Sequence, residues 1–104
     1  MLGLSTALWA VSLVAQSPPS RQEYRAAYEH ALRCFVATSG YLGEASANGS
    51  WNAAMRLRML LNLSNRQVNA DLDRVTASEG VRLVRDPRYR DQLIGECRRL
   101  GLIS

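Results

Sequence analysis

Lysine is missing from this chain: all 13 basic side chains are arginine, beside nine acids, one histidine, two cysteines and three prolines. Each shortage removes a class of chemistry. A metal site built from histidine and cysteine cannot be assembled from one histidine and two cysteines expected to be bridged, and no metal is expected. The cysteines, Cys34 and Cys97, are far apart, so there is no C-x-x-C motif of the thioredoxin kind. His30 has no obvious orienting acid and no serine lies in a G-x-S-x-G turn, which leaves a nucleophile-base pair without parts. Asp71 and Asp73 are two residues apart and diverge on a helix, so they do not converge for acid-base work. Neither G-x-G-x-x-G nor a phosphate loop with Lys-Ser/Thr occurs, and no cofactor is expected. The formal charge of +4 is spread among interspersed acids with no basic arm, so nucleic acid is not an expected partner. Enzymatic activity is not expected. Arginine used throughout in place of lysine suggests a GC-rich bacterial source, an association rather than a physical argument. The glycosylation-like triplets at Asn48 and Asn62 then read as coincidence.

What is present is enough for one small core. The 104 residues are 47% hydrophobic and 21% charged, the range of a globular domain. Leu2 to Ala15 is uncharged and mostly apolar but short of the ~20 residues that span a bilayer. It reads as a signal peptide, residues 1–16, with the cut site left open among Ala10, Ser12 and Ala15 and no arginine ahead of the apolar run. Retained, the same segment would be a membrane anchor or an extra helix. The mature domain is residues 17–104.

That domain reads as all-α, a four-helix bundle with helices at roughly 21–39, 51–63, 65–79 and 87–100. Pro18 and Pro19 stop any helix from running in from the N-terminal segment. Ser20 and Glu23 have capping-box spacing. Tyr24, Tyr28, Ala31, Leu32, Phe35 and Leu42 then share a face, and Glu29 lies one turn from Arg25 and from Arg33 on the solvent side. The segment SGYLGEASANGS, 39–50, has the composition of an open loop, with Gly40 or Gly43 closing one helix and Asn48 or Ser50 capping the next. Trp51 to Leu63 is apolar nearly all round, which predicts the central helix of the bundle. Ser64 and Gln67 form a second capping-box pair. Gly80 is expected to end the third helix near Ser78 and leave Glu79 in water; if the helix ran on, Glu79 would need a partner such as Arg58. Asp86-Pro87 starts the last helix, with Tyr89, Leu93, Cys97 and Leu100 inward and a glycine-closed end at Gly101.

Export places both cysteines in an oxidising compartment, and a Cys34–Cys97 disulfide follows as the expected bridge. It would make the first and last helices neighbours. With a closed loop of roughly 60 residues, the bridge would stabilise the fold by about 4 kcal/mol in the chain-entropy account. The functional expectation is a periplasmic or secreted helical module that binds another protein without catalysis. Trp51, Met55, Arg58 and Met59 are the residues singled out as a partner or ligand surface, against the plainer reading that Trp51, Met55 and Met59 are core. The alternative is a carrier of a hydrophobic or lipid-like molecule in an inter-helical cavity, with Arg58 or Arg56 meeting an acidic head. Membrane association is expected only if the N-terminal segment is retained.

Overall fold

The structure, a computed structural model, describes residues 17–103; the signal-peptide reading of 1–16 lies outside them. The fold is an all-α four-helix bundle: α1 (Arg21–Tyr41), α2 (Glu44–Leu61), α3 (Asn65–Arg85) and α4 (Pro87–Arg99), with no strand among the described residues. No helix among these residues is long and apolar enough to cross a membrane.

Three of the four starts are set by side chains, which replace the partners that the first turn of a helix lacks. Ser20 Oγ accepts from the Glu23 amide, and Asp86 Oδ1 accepts from the Tyr89 amide ahead of Pro87. At Ser64 the capping box is complete, with Gln67 Oε1 accepting from the Ser64 amide and Ser64 Oγ from the Gln67 amide. The start of α2 is different. Gly43 sits there at φ 94°, a backbone conformation that glycine adopts without a side-chain penalty, and no side chain caps the helix.

The expected loop at 39–50 is therefore corrected to a two-residue corner, Leu42 and Gly43, between α1 and α2. Neither Asn48 nor Ser50 is a cap. The small residues that looked like loop composition lie on the buried side of α2: Ala47, Ser50, Ala53 and Ala54 are all inaccessible or nearly so. They face α1, where Ala31 and Ala37 are likewise buried, and small side chains let two helices pack along their length at close range. Ser50 donates from Oγ to the Leu102 carbonyl at 2.8 Å, tying the C-terminal tail to α2.

The central helix is α1, not Trp51–Leu63. It packs against α2, α3 and α4, whereas α2 packs chiefly on α1. The consequence shows on the outer side of α2, where Met59 is 78% exposed and Leu60 60%. An apolar sequence all round a helix did not mean burial all round, because the described residues supply too few elements to cover its far side.

The core has two parts. Tyr28, Ala31, Leu32, Ala53, Ala54, Leu61 and Val75 form the first, between α1, α2 and α3. Cys34, Ala37, Leu83, Leu93 and Cys97 form the second, where α1 meets α3 and α4, and Val36 and Leu102 touch both. The Cys34–Cys97 disulfide is present, with Cα atoms 5.8 Å apart and both residues wholly buried. A polar clamp reinforces the α1–α3 seam: Arg25 bridges Glu29 and Asp71, Arg74 bridges the same two acids, and the buried Tyr28 hydroxyl donates to Asp71 Oδ2 at 3.1 Å. Glu29 thus keeps its expected partner Arg25 but turns to Arg74 rather than Arg33, and it faces the α1–α3 seam rather than solvent.

Candidate functional site: a polar cleft beside the disulfide

Helix α3 runs straight through Gly80 to Arg85, so Glu79 is neither free in water nor near Arg58. Its carboxylate accepts a 2.6 Å hydrogen bond from the Tyr89 hydroxyl of α4. That contact lies in an open cleft of about 350 Å³ at the junction of α1, α3 and α4. Each helix contributes through the spacing that puts side chains on one face: His30 and Arg33 from α1, Glu79 and Arg82 from α3, and Tyr89, Gln92, Leu93 and Glu96 from α4.

The cleft holds its polar groups in a defined arrangement. The Arg82 guanidinium lies over the Tyr89 ring, 3.6 Å from the centroid, so the ring face carries a cation while its hydroxyl carries the Glu79 carboxylate. Burial, then the hydrogen bond to Glu79, pushes the Tyr89 hydroxyl above its ordinary pKa, and it stays a donor. On the opposite wall an Arg33 nitrogen stands 3.3 Å from His30 Nδ1. A guanidinium only donates, so Nδ1 accepts and the neutral ring carries its proton on Nε2. That nitrogen is buried without a hydrogen-bond partner, and Glu96 Oε1 stands 3.5 Å from it.

Two arginines therefore reach the cleft with donors to spare. Among the described residues, neither Arg33 nor Arg82 enters an ion pair with a carboxylate, in contrast to Arg25 and Arg74 in the clamp on the neighbouring seam. Three helices meet here because the second core lies directly beneath. Leu93 belongs both to that core and to the wall of the cleft, and the disulfide fastens α4 to α1 at the level of His30 and Glu96.

The four residues singled out in the sequence are spread over different environments. Trp51 is half-buried and packs on Phe35, with ring centroids 5.0 Å apart. Met55 is half-buried against the first core. Arg58 closes the α2–α3 corner, donating from Nε to the Leu63 carbonyl at 3.0 Å and from a terminal nitrogen to Asn65 Oδ1. Only Met59 stands out in water. Trp51 and Phe35, with Leu72 of α3, also line a shallow open groove, the most apolar of the surface depressions described.

None of the cleft residues was singled out in the sequence for this arrangement. The signal that could have found them is the repeated three- or four-residue spacing of polar side chains, H-x-x-R, E-x-x-R and Y-x-x-Q-x-x-x-E, on three helices with otherwise apolar faces. No family model, curated protein or solved structure matches this chain.

Proposed function

We propose that this chain is a small exported, non-catalytic binding module whose recognition site is the polar cleft between α1, α3 and α4. The observation that carries this reading is the pair Arg33 and Arg82, held in one cleft with guanidinium donors not engaged by any acid. A ligand offering a carboxylate or phosphate would complete them, because a charge-assisted hydrogen bond is roughly twice as strong as a neutral one. Gln92, with a donor and an acceptor in its amide, adds a hydrogen-bonding group that would fix its orientation. The module's setting is an oxidising, extracytoplasmic compartment; a disulfide between two helices and a short apolar N-terminal segment support that.

The Met59 surface is the weaker choice for a partner. Met59 and Leu60 form a small exposed apolar spot, and Trp51, Met55 and Arg58 have work inside the fold. A photo-reactive residue in place of Gln92, compared with one in place of Met59, separates the two surfaces in the protein's own cells. The cleft reading expects a discrete crosslinked species from position 92 that disappears when Arg33 and Arg82 are both changed to Gln. A species formed only from position 59, or one indifferent to the double change, overturns it.

A further inference from the structure

His30, Cys34 and Cys97 converge more closely than a structural bridge requires. Cys34 follows His30 by one helical turn on α1, and Cys97 comes from α4 next to Glu96. The imidazole and the two sulfurs present donor atoms that all lie within 4.8 Å of one another. His30 Nε2 is buried and makes no hydrogen bond; the nearest acceptor, Glu96 Oε1, stands 3.5 Å away, too far for a full one. Buried polar atoms are nearly always paired, and a closer partner than this carboxylate would satisfy the nitrogen better.

We propose that reduction of the Cys34–Cys97 bridge turns this place into a zinc site with Cys34 Sγ, Cys97 Sγ and His30 Nε2 as ligands. The fourth position is left for water on the side of the cleft. A dithiol reductant opens the bridge by exchange: two electrons and two protons pass to the protein sulfurs, and the dithiol becomes its own disulfide. Zinc then displaces the two thiol protons and binds two thiolates and a neutral imidazole. The Cα atoms are 5.8 Å apart, so both sulfurs can reach one ion at a Zn–S distance of about 2.3 Å. The metal would hold α1 to α4 where the covalent bond held them before, and the cleft would keep its walls in both states.

Arg33 opposes this state and supplies a test of it. Its donor to Nδ1 keeps the ring proton on Nε2, whereas a ring that binds metal through Nε2 must carry the proton on Nδ1. Arg33→Gln replaces the donor by a side chain whose oxygen can accept from Nδ1–H. Outer partners of metal-binding histidines typically change affinity by about 10–100-fold, and this substitution should tighten zinc by an effect of that order.

The experiment reduces the purified protein with a phosphine, which ends as its oxide with oxygen taken from water, removes the reagent under argon, and titrates first cobalt(II) and then zinc. Circular dichroism follows the helices throughout. The expected result is a thiolate-to-cobalt band and tetrahedral cobalt bands that saturate at equimolar metal and vanish on adding zinc. They should be absent from the oxidised protein and from Cys34→Ser. His30→Ala should weaken binding by about tenfold or more, and Arg33→Gln should strengthen it. No thiolate band in the reduced protein, equal binding by His30→Ala, or a reduced chain that has lost its helices and does not regain them with zinc would each overturn the proposal.

Discussion

Tyr28 reaches Asp71 from a position with no exposure to water, and its proton is held by that setting. Burial is the larger cause and the hydrogen bond to Asp71 the next; together they push the hydroxyl well above its ordinary value of 10.0. In the unfolded chain the same group ionises near that ordinary value. Its contribution is therefore complete below about pH 10 and declines as pH rises further, since the unfolded state alone then releases the proton. Urea unfolding should show little loss of this contribution up to about pH 9.5 and a fall between about pH 9.5 and 11, with Tyr28→Phe flattening that fall. At neutral pH the same change should cost about 1 kcal/mol, because Asp71 keeps Arg25 and Arg74 as partners. Met59 is the opposite case. With most of its surface in water, Met59→Asp should alter the unfolding free energy by no more than about 0.5 kcal/mol.

Helix boundaries followed the sequence where a side chain set them and departed from it where glycine was the guide. Ser20, Ser64 and Asp86 were legible because an oxygen acceptor at a fixed distance before an amide is a local event. Gly80 and the glycines and serines of 39–50 were not, because their meaning depends on what packs beside them. A stretch of small residues reads as loop until a neighbouring helix is known to need the room, and here that neighbour is α1. Leucine in place of Ala54, which is wholly buried against α1, should cost about 1–3 kcal/mol by overpacking in chemical denaturation. Gly80 lies inside α3 with open space where a β-carbon would project. Gly80→Ala should accordingly stabilise the protein by about 0.5–1 kcal/mol, read as a raised midpoint of thermal unfolding. A loss of stability instead would mean that α3 is not continuous through this point.

At the scale of the whole molecule, the pairing of Cys34 with Cys97 is legible because only two cysteines exist, one on the flank of the α1 apolar stripe and one on the inward face of α4. The cleft is not, although its parts are in view. Glu79 reads as solvated wherever Gly80 is expected to end the helix, and His30 and Arg33 carry no motif of their own. Their convergence requires knowing that α1, rather than the more apolar α2, touches every other helix. Apolar content measures how much a helix would gain from burial, whereas topology decides which helix receives it. With four helices among the described residues, one side of α2 is left uncovered by them whatever its composition.

The disulfide ties this topology to the proposed recognition site, since it pins the α4 wall of the cleft to the α1 wall. Its closed loop spans a sequence separation of 63, so changing both cysteines to serine should cost about 4 kcal/mol in the chain-entropy account, measured by urea unfolding. The most direct test of an exported, oxidised binding module is the intact mass of the protein taken from its own cells after blocking free thiols, with and without prior reduction. The expected result is a chain shortened at its N-terminus that takes up blocking groups at Cys34 and Cys97 only after reduction. A full-length chain carrying both blocking groups without reduction would contradict it.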